Sequence, residues 1–106
     1  MQPSGYNGPV TRDGILTLIR ANAARLRRDF HVRSLSVFGS FARHQGGTGS
    51  DVDVLVDFEG TPSFKGFMRL KFALEDLLGR PVDLVTPAAL KPRLKATVER
   101  EAIRVA

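Results

Sequence analysis

The sequence has no cysteine and no tryptophan, and only one tyrosine and two histidines among 106 residues. Without cysteine there is no disulfide framework and no cysteine-ligated zinc site. No apolar run approaches the ~20 residues that cross a bilayer, so a membrane role is not expected. The opening Met1-Gln2-Pro3-Ser4-Gly5-Tyr6 lacks the basic and apolar regions of a signal peptide. Together these absences point to a reducing, cytoplasmic setting. Acidic residues are the scarcer charge: 11 against 16 Lys plus Arg, a net charge of +5. Such a surplus suits phosphate, nucleic acid or an acidic protein partner, without choosing among them.

What is present reads as one globular domain. Hydrophobic residues make up 42% and charged residues 25%, and a chain this long builds one core rather than two. Pro3, Gly5, Gly8 and Pro9 mark residues 1–10 as a flexible arm, with the domain over 11–106. Thr11 is a helix cap, and Ile15, Leu18, Ile19, Ala23 and Leu26 recur at helical spacing, which predicts one helix over 12–29 with Asn22 as the polar residue on its stripe. Leu35 to Phe38 reads as a short strand ending at Gly39, followed by a helical turn over 40–43 and a glycine-containing loop over 44–50.

Val52 to Phe58 is the strongest strand signal, with Val52, Val54, Val56 and Phe58 on one face and Asp51, Asp53, Leu55 and Asp57 on the other. Ser63 caps a helix over 64–78 that Gly79 and Pro81 end. Its expected stripe is Phe64, Phe67, Met68, Lys71, Leu74, Glu75 and Leu78, apolar except for Lys71 and Glu75, with Phe72 off it. Core is the plainer reading of Phe64, Phe67, Met68 and Phe72, and a partner surface the alternative for Phe72. Val82 to Val85 reads as a third strand. Thr86-Pro87 opens a further turn, Pro92 interrupts it, and a last helix runs to Ile103. The order α-β-α-β-α-β-α predicts an α/β fold, a small sheet packed by helices.

Three features carry chemistry. Asp51 and Asp53 lie two apart on a strand, so both carboxylates point one way from α-carbons about 6–7 Å apart, able to converge on hard cations such as magnesium. Asp57 shares their face but lies roughly 13 Å along the strand from Asp53, too far to share an ion. Asp83, from another strand, is the better third ligand. Gly39-Ser40 after a strand is the second feature. Glycine permits close approach, and the turn's N–H groups with the Ser40 hydroxyl can hold a phosphate. Arg43, one turn on, either reaches the same anion or pairs with a carboxylate. A phosphate cradle plus metal-holding carboxylates is what phosphoryl-type transfer needs. His31 and His44 read as surface residues.

Phe38-Gly39-Ser40-Phe41-Ala42-Arg43, then Ser50-Asp51-Val52-Asp53-Val54-Leu55-Val56, resembles the signature of the DNA-polymerase-β-like nucleotidyltransferase superfamily. The short chain and Pro81-Val82-Asp83-Leu84-Val85 resemble its minimal nucleotidyltransferase (MNT) branch. That resemblance covers about residues 12–104 and implies the nucleotidyltransferase fold. It implies that Gly39 and Ser40 hold the triphosphate of ATP, that Asp51 and Asp53 bind two Mg²⁺, and that Asp83 helps bind one metal and deprotonate an acceptor hydroxyl. Many members of the branch are antitoxins of HEPN-domain ribonuclease toxins, and some transfer AMP to a tyrosine of the toxin. A HEPN partner, and an assembly with it, are therefore expected.

Two other functions compete. A nucleotidyltransferase acting on a small molecule or nucleic acid would need a second unit to build its acceptor pocket. A non-catalytic binding antitoxin would gain nothing from a repulsive cluster at 51, 53 and 83. The cations Lys91, Arg93, Lys95, Arg100 and Arg104 read first as a solvated helix face, and second as a landing site for an acidic partner or RNA.

Overall fold

The computed structural model describes residues 11–45 and 51–106. The expected arm at 1–10 and most of the glycine-containing loop, residues 46–50, lie outside the described residues.

Helix α1 spans Arg12–Ala21, and the Thr11 hydroxyl caps it, accepting from the Gly14 N–H at 3.2 Å. The single helix expected over 12–29 is two, because Asn22 breaks it. Its backbone leaves helical geometry at φ −112°, ψ 10°, and its side-chain amide donates to the Leu18 carbonyl at 2.9 Å. A short amide side chain competes in this way for helix carbonyls. Helix α2 then covers Ala23–Phe30 and closes on His31 in left-handed geometry, φ 56°. That turn feeds straight into strand β1, Val32–Phe38, so the strand begins three residues before the expected Leu35.

After the short helix α3, Gly39–Ala42, strand β2 runs over Val52–Phe58 as expected. Helix α4, Phe64–Leu78, is capped by Ser63 and closed by left-handed Gly79, and strand β3 covers Val82–Val85. Strand β1 is antiparallel to β2, and β2 is parallel to β3. The alternation in β2 behaves as its pattern requires: Val52, Val54 and Val56 are fully buried, with Phe58 nearly so, against Ile15, Ile19, Leu35, Val37, Leu70, Leu74 and Leu78.

The stripe assigned to α4 needs correction. Leu74 and Leu78 of that stripe are buried, joined by Leu70, but Phe64 is 80% and Phe72 53% exposed, so neither of these two is core. The reason lies in the two charged residues on the expected stripe. Lys71 and Glu75 form a 2.8 Å ion pair, and the Glu75 carboxylate accepts from the Val82 N–H at 3.0 Å. This face of the helix therefore borders β3; the leucines enter the core, half-buried Phe67 packs against it, and Phe64 and Phe72 stay outside. Burial pushes the Glu75 carboxyl up, but the Lys71 and Val82 bonds and the Lys71 charge outweigh it and hold the group below its ordinary value.

The C-terminal segment departs furthest from expectation. Pro87–Ala89 forms the expected turn, and Pro92, expected to interrupt that turn, lies beyond it and opens helix α5, Pro92–Glu101. Proline suits a first helical position, where no partner awaits its missing N–H. The helix stops short of Ile103. Ile103–Arg104 is a fourth strand, β4, antiparallel to β1, and completes the sheet order β3-β2-β1-β4. The pairing continues through Val105, whose N–H donates to the Leu35 carbonyl at 2.9 Å. The fold is thus a mixed four-stranded sheet packed by helices, as expected in class, with one strand more. No helix among the described residues is long and apolar enough to cross a membrane.

Candidate active site

The sheet brings the motif segments together at one end. Asp53 pairs in register with Phe38 on one side, the residue before Gly39, and with Asp83 on the other. The side chains of Asp53 and Asp83 share a hydrogen bond across the parallel strands. Burial raises the Asp53 carboxyl most. The charges of Asp83 and Asp51 and the bond to Asp83 raise it further, the Arg43 charge lowers it, and the result is about 6. Asp51 and Asp83 are exposed and Asp53 is half-buried.

Gly39 is required twice at its position. Its φ of +73° lies in the left-handed region, where L side chains are strained. A Cβ there would overlap Asp53 Oδ2 and come within 2.9 Å of Asp53 Cγ. The Gly-Ser turn therefore presses directly on the Asp53 carboxylate. Ser40 follows on the first turn of α3, its carbonyl accepting from the N–H groups of Arg43 at 3.2 Å and Gln45 at 2.7 Å.

Of the two readings of Arg43, the structure displays the carboxylate pair. Its Nη1 meets Glu101 of α5 at 3.1 Å and its Nε donates to Gln45 at 3.2 Å. Its charge still reaches Asp53. Asp57, on the same face, belongs elsewhere: Arg33 of β1 holds it at 3.6 Å. His31 and His44 are exposed, both with positive φ.

Two residues near the site were not singled out from the sequence. Glu101 sits in a run of charges with nothing to distinguish it. Arg80, between Gly79 and Pro81, reads as a turn residue, yet it is 3% exposed and its guanidinium lies 5.3 Å from the centre of the Phe41 ring.

Among the described residues, no group of three or more histidine, cysteine or acidic side chains is arranged as a ready metal cage. What the structure offers is an oxygen-only set: a hydrogen-bonded carboxyl pair with Asp51 electrostatically coupled to it. That chemistry suits magnesium, which keeps water and substrate phosphate in much of its shell. A cleft of about 310 Å³ opens at the other end of β2, lined by Phe30, His31, Phe58, Ser63, Gly66 and Arg69, and contains none of the expected site residues.

The description "Nucleotidyltransferase domain" belongs to the family model that matches residues 19–105. The chain is a member of that nucleotidyltransferase family. It is 44% identical over 96 residues to the protein adenylyltransferase MntA of Thermococcus cleftensis, across 91% of this chain and 97% of that one. The solved structure of a candidate minimal nucleotidyltransferase matches it with a TM-score of 0.77 and 38% identity, over 92% of this chain and 98% of that one. A complex of a tri-AMPylated Shewanella oneidensis HEPN toxin with an MNT antitoxin is more distant, with a TM-score of 0.62 and 22% identity over 86% of this chain and 71% of that one, and shows likeness of fold. The minimal branch read from the short chain and Pro81-Val82-Asp83-Leu84-Val85 is therefore the right one, and the chain is a nucleotidyltransferase enzyme.

Proposed function

We propose that this nucleotidyltransferase transfers AMP from ATP to a hydroxyl, that of a tyrosine, on a HEPN ribonuclease toxin, and silences the toxin as its antitoxin in the cytoplasm. The observation that carries the reading is the convergence of Gly39, Asp53 and Asp83 at one end of the sheet. The adenylyltransferase MntA at 44% identity supports AMP as the group transferred. The toxin–antitoxin complex of like fold supports a HEPN partner.

In this reading the Gly39-Ser40 turn and Arg43 bind the triphosphate, with Arg43 exchanging Glu101 for phosphate. Asp51, Asp53 and Asp83 would hold Mg²⁺, which supplies positive charge against the phosphates when bound. Asp83 is exposed at its strand position and accepts the proton of the incoming hydroxyl. The hydroxyl oxygen attacks the α-phosphorus, its bond to pyrophosphate breaks, and pyrophosphate leaves. The register of β2 and β3 sets Asp53 beside Asp83, and Gly39 leaves no room for a Cβ against Asp53, so positioning and charge do most of the work.

Intact mass spectrometry of the HEPN protein co-expressed with this chain, before and after incubation with ATP and Mg²⁺, tests the reading. A mass gain in whole AMP units that is lost with Asp83→Asn is expected. An unmodified HEPN protein alongside a nucleotidylated small molecule or RNA would replace it.

A further inference from the structure

We infer that Arg80 is a positioning residue for the nucleotide site: it acts through Phe41 to hold the Gly39-Ser40 turn against the strands that carry the acids. The inference rests on the reading of that turn as the phosphate cradle.

Arg80 is the only charged residue that is buried among the described residues, at 3% exposure. Burying a guanidinium is costly, and a position that only had to turn the chain would leave the side chain in solvent. Its guanidinium instead lies 5.3 Å from the centre of the Phe41 ring, within range of a cation–π contact, which strengthens where water is excluded. Phe41 is itself 1% exposed. It follows Ser40 directly within α3, so a buried ring beside the turn anchors it.

The backbone of Arg80 is tied to the acids from the other side. Pro81, its neighbour, accepts the Val52 N–H at 3.0 Å, between Asp51 and Asp53. Val82 pairs with Val52, and Asp83 with Asp53. One buried side chain therefore joins the helix that starts at the Gly-Ser turn to the starts of both acid-bearing strands. Gly39 leaves no room for even a Cβ against Asp53, so a small rotation of α3 changes the spacing between phosphate cradle and carboxylates. Arg80 limits that rotation. An arginine is suited to the task because its planar, permanently charged group stacks on a ring, whereas a lysine ammonium is a strongly hydrated point charge.

The test is titration of the isolated chain with Mg-ATP by calorimetry, for wild type, Arg80→Met, Arg80→Lys, Phe41→Leu and the Arg80→Met/Phe41→Leu double variant, with circular dichroism to establish folding. Arg80→Met and Phe41→Leu are each expected to weaken Mg-ATP by about tenfold or more. The double variant should be little worse than either single, as for residues that act as a pair. Arg80→Lys should recover part of the loss. With the partner present, the loss should fall mainly on KM for ATP and less on kcat. Folded Arg80→Met with wild-type affinity overturns the inference. If Arg80→Met does not fold, wild-type affinity in Phe41→Leu overturns it instead. A wild type that binds no Mg-ATP overturns the nucleotide-site reading itself, and the inference with it.

Discussion

Asp53 and Asp83 stand opposite one another in the parallel register of β2 and β3 and share a side-chain hydrogen bond. Burial makes Asp53 hold its proton more tightly, and the charge of Asp83 so placed adds to the effect. Asp53 rises from 3.8 to about 6. Its neutral form is the one the metal-free fold favours.

The first prediction follows from the sign of that shift. Between pH 3.8 and about 6 the folded protein keeps a proton that the unfolded chain has lost. This contribution to stability is therefore present below 3.8 and is lost as pH rises through 6. Cation binding needs the ionised carboxylate, so it runs the other way and weakens as pH falls through 6. Mg-ATP titrations at pH 5.0 and 7.5 should show clearly weaker binding at the lower pH. Asp53→Asn should bind weakly at both. A wild type with equal affinity at the two values would remove Asp53 from the metal set.

Gly39→Ala should be harmful for two separable reasons. The left-handed backbone alone costs about 1–2 kcal/mol for a residue with a Cβ. At roughly 4–8 °C per kcal/mol, that lowers the melting temperature by several degrees. The Cβ also displaces the Asp53 carboxylate. Gly60 is a control, since it has φ +79° and nothing within 4 Å of a Cβ. Gly60→Ala should lose a similar amount of stability and keep Mg-ATP binding, whereas Gly39→Ala loses both. Equal binding in the two variants would separate Gly39 from the site.

The parts of the fold legible in the sequence were those with long, clean periods and chemical punctuation. Strand Val52–Phe58 alternates without a fault, and helix Phe64–Leu78 is bracketed by Ser63 and Gly79, so both elements lie where those signals put them. Strand β4 was not, because two residues carry no period and its pairing is decided by β1. The break at Asn22 had a visible cause, a polar residue on an apolar stripe, whose consequence depends on the local competition for the Leu18 carbonyl. In the candidate site, strand alternation placed Asp53 on the polar face, but only the register brought Asp83 beside it. The Arg43–Glu101 contact joins residues 58 apart in the chain, and the burial of Arg80 arises from packing that no local pattern encodes.

Asp57 and Asp83 give opposite expectations in an AMP-transfer assay. Asp57 sits on the acid-bearing face but is held by Arg33 at 3.6 Å and lies toward the far end of β2. An exposed pair of this kind contributes ~0–1 kcal/mol, so Asp57→Asn should leave both melting and transfer nearly unchanged. Asp83→Asn should fold and lose transfer. A dead Asp57→Asn beside an active Asp83→Asn would show that the third acid is the wrong one.

The last prediction concerns what the acids do to the fold before a cation arrives. Asp51 and Asp83 both act on Asp53 as like charges. Above pH 6 the three carboxylates repel, and the metal-free protein carries that cost. Asp51→Asn with Asp53→Asn removes two of the three charges at nearly constant shape. In EDTA at pH 7.5 this double variant should therefore melt higher than the wild type. Adding Mg²⁺ should reverse the order of benefit. A ligand at about ten times its dissociation constant stabilises the wild type by about 1.4 kcal/mol, or several degrees in a domain of this size, and the variant should respond weakly. Four melting curves, two proteins with and without Mg²⁺, decide the matter. Equal Mg²⁺ responses would mean that Asp51 and Asp53 do not hold the cation, and the carboxylate cluster would need another role in this nucleotidyltransferase.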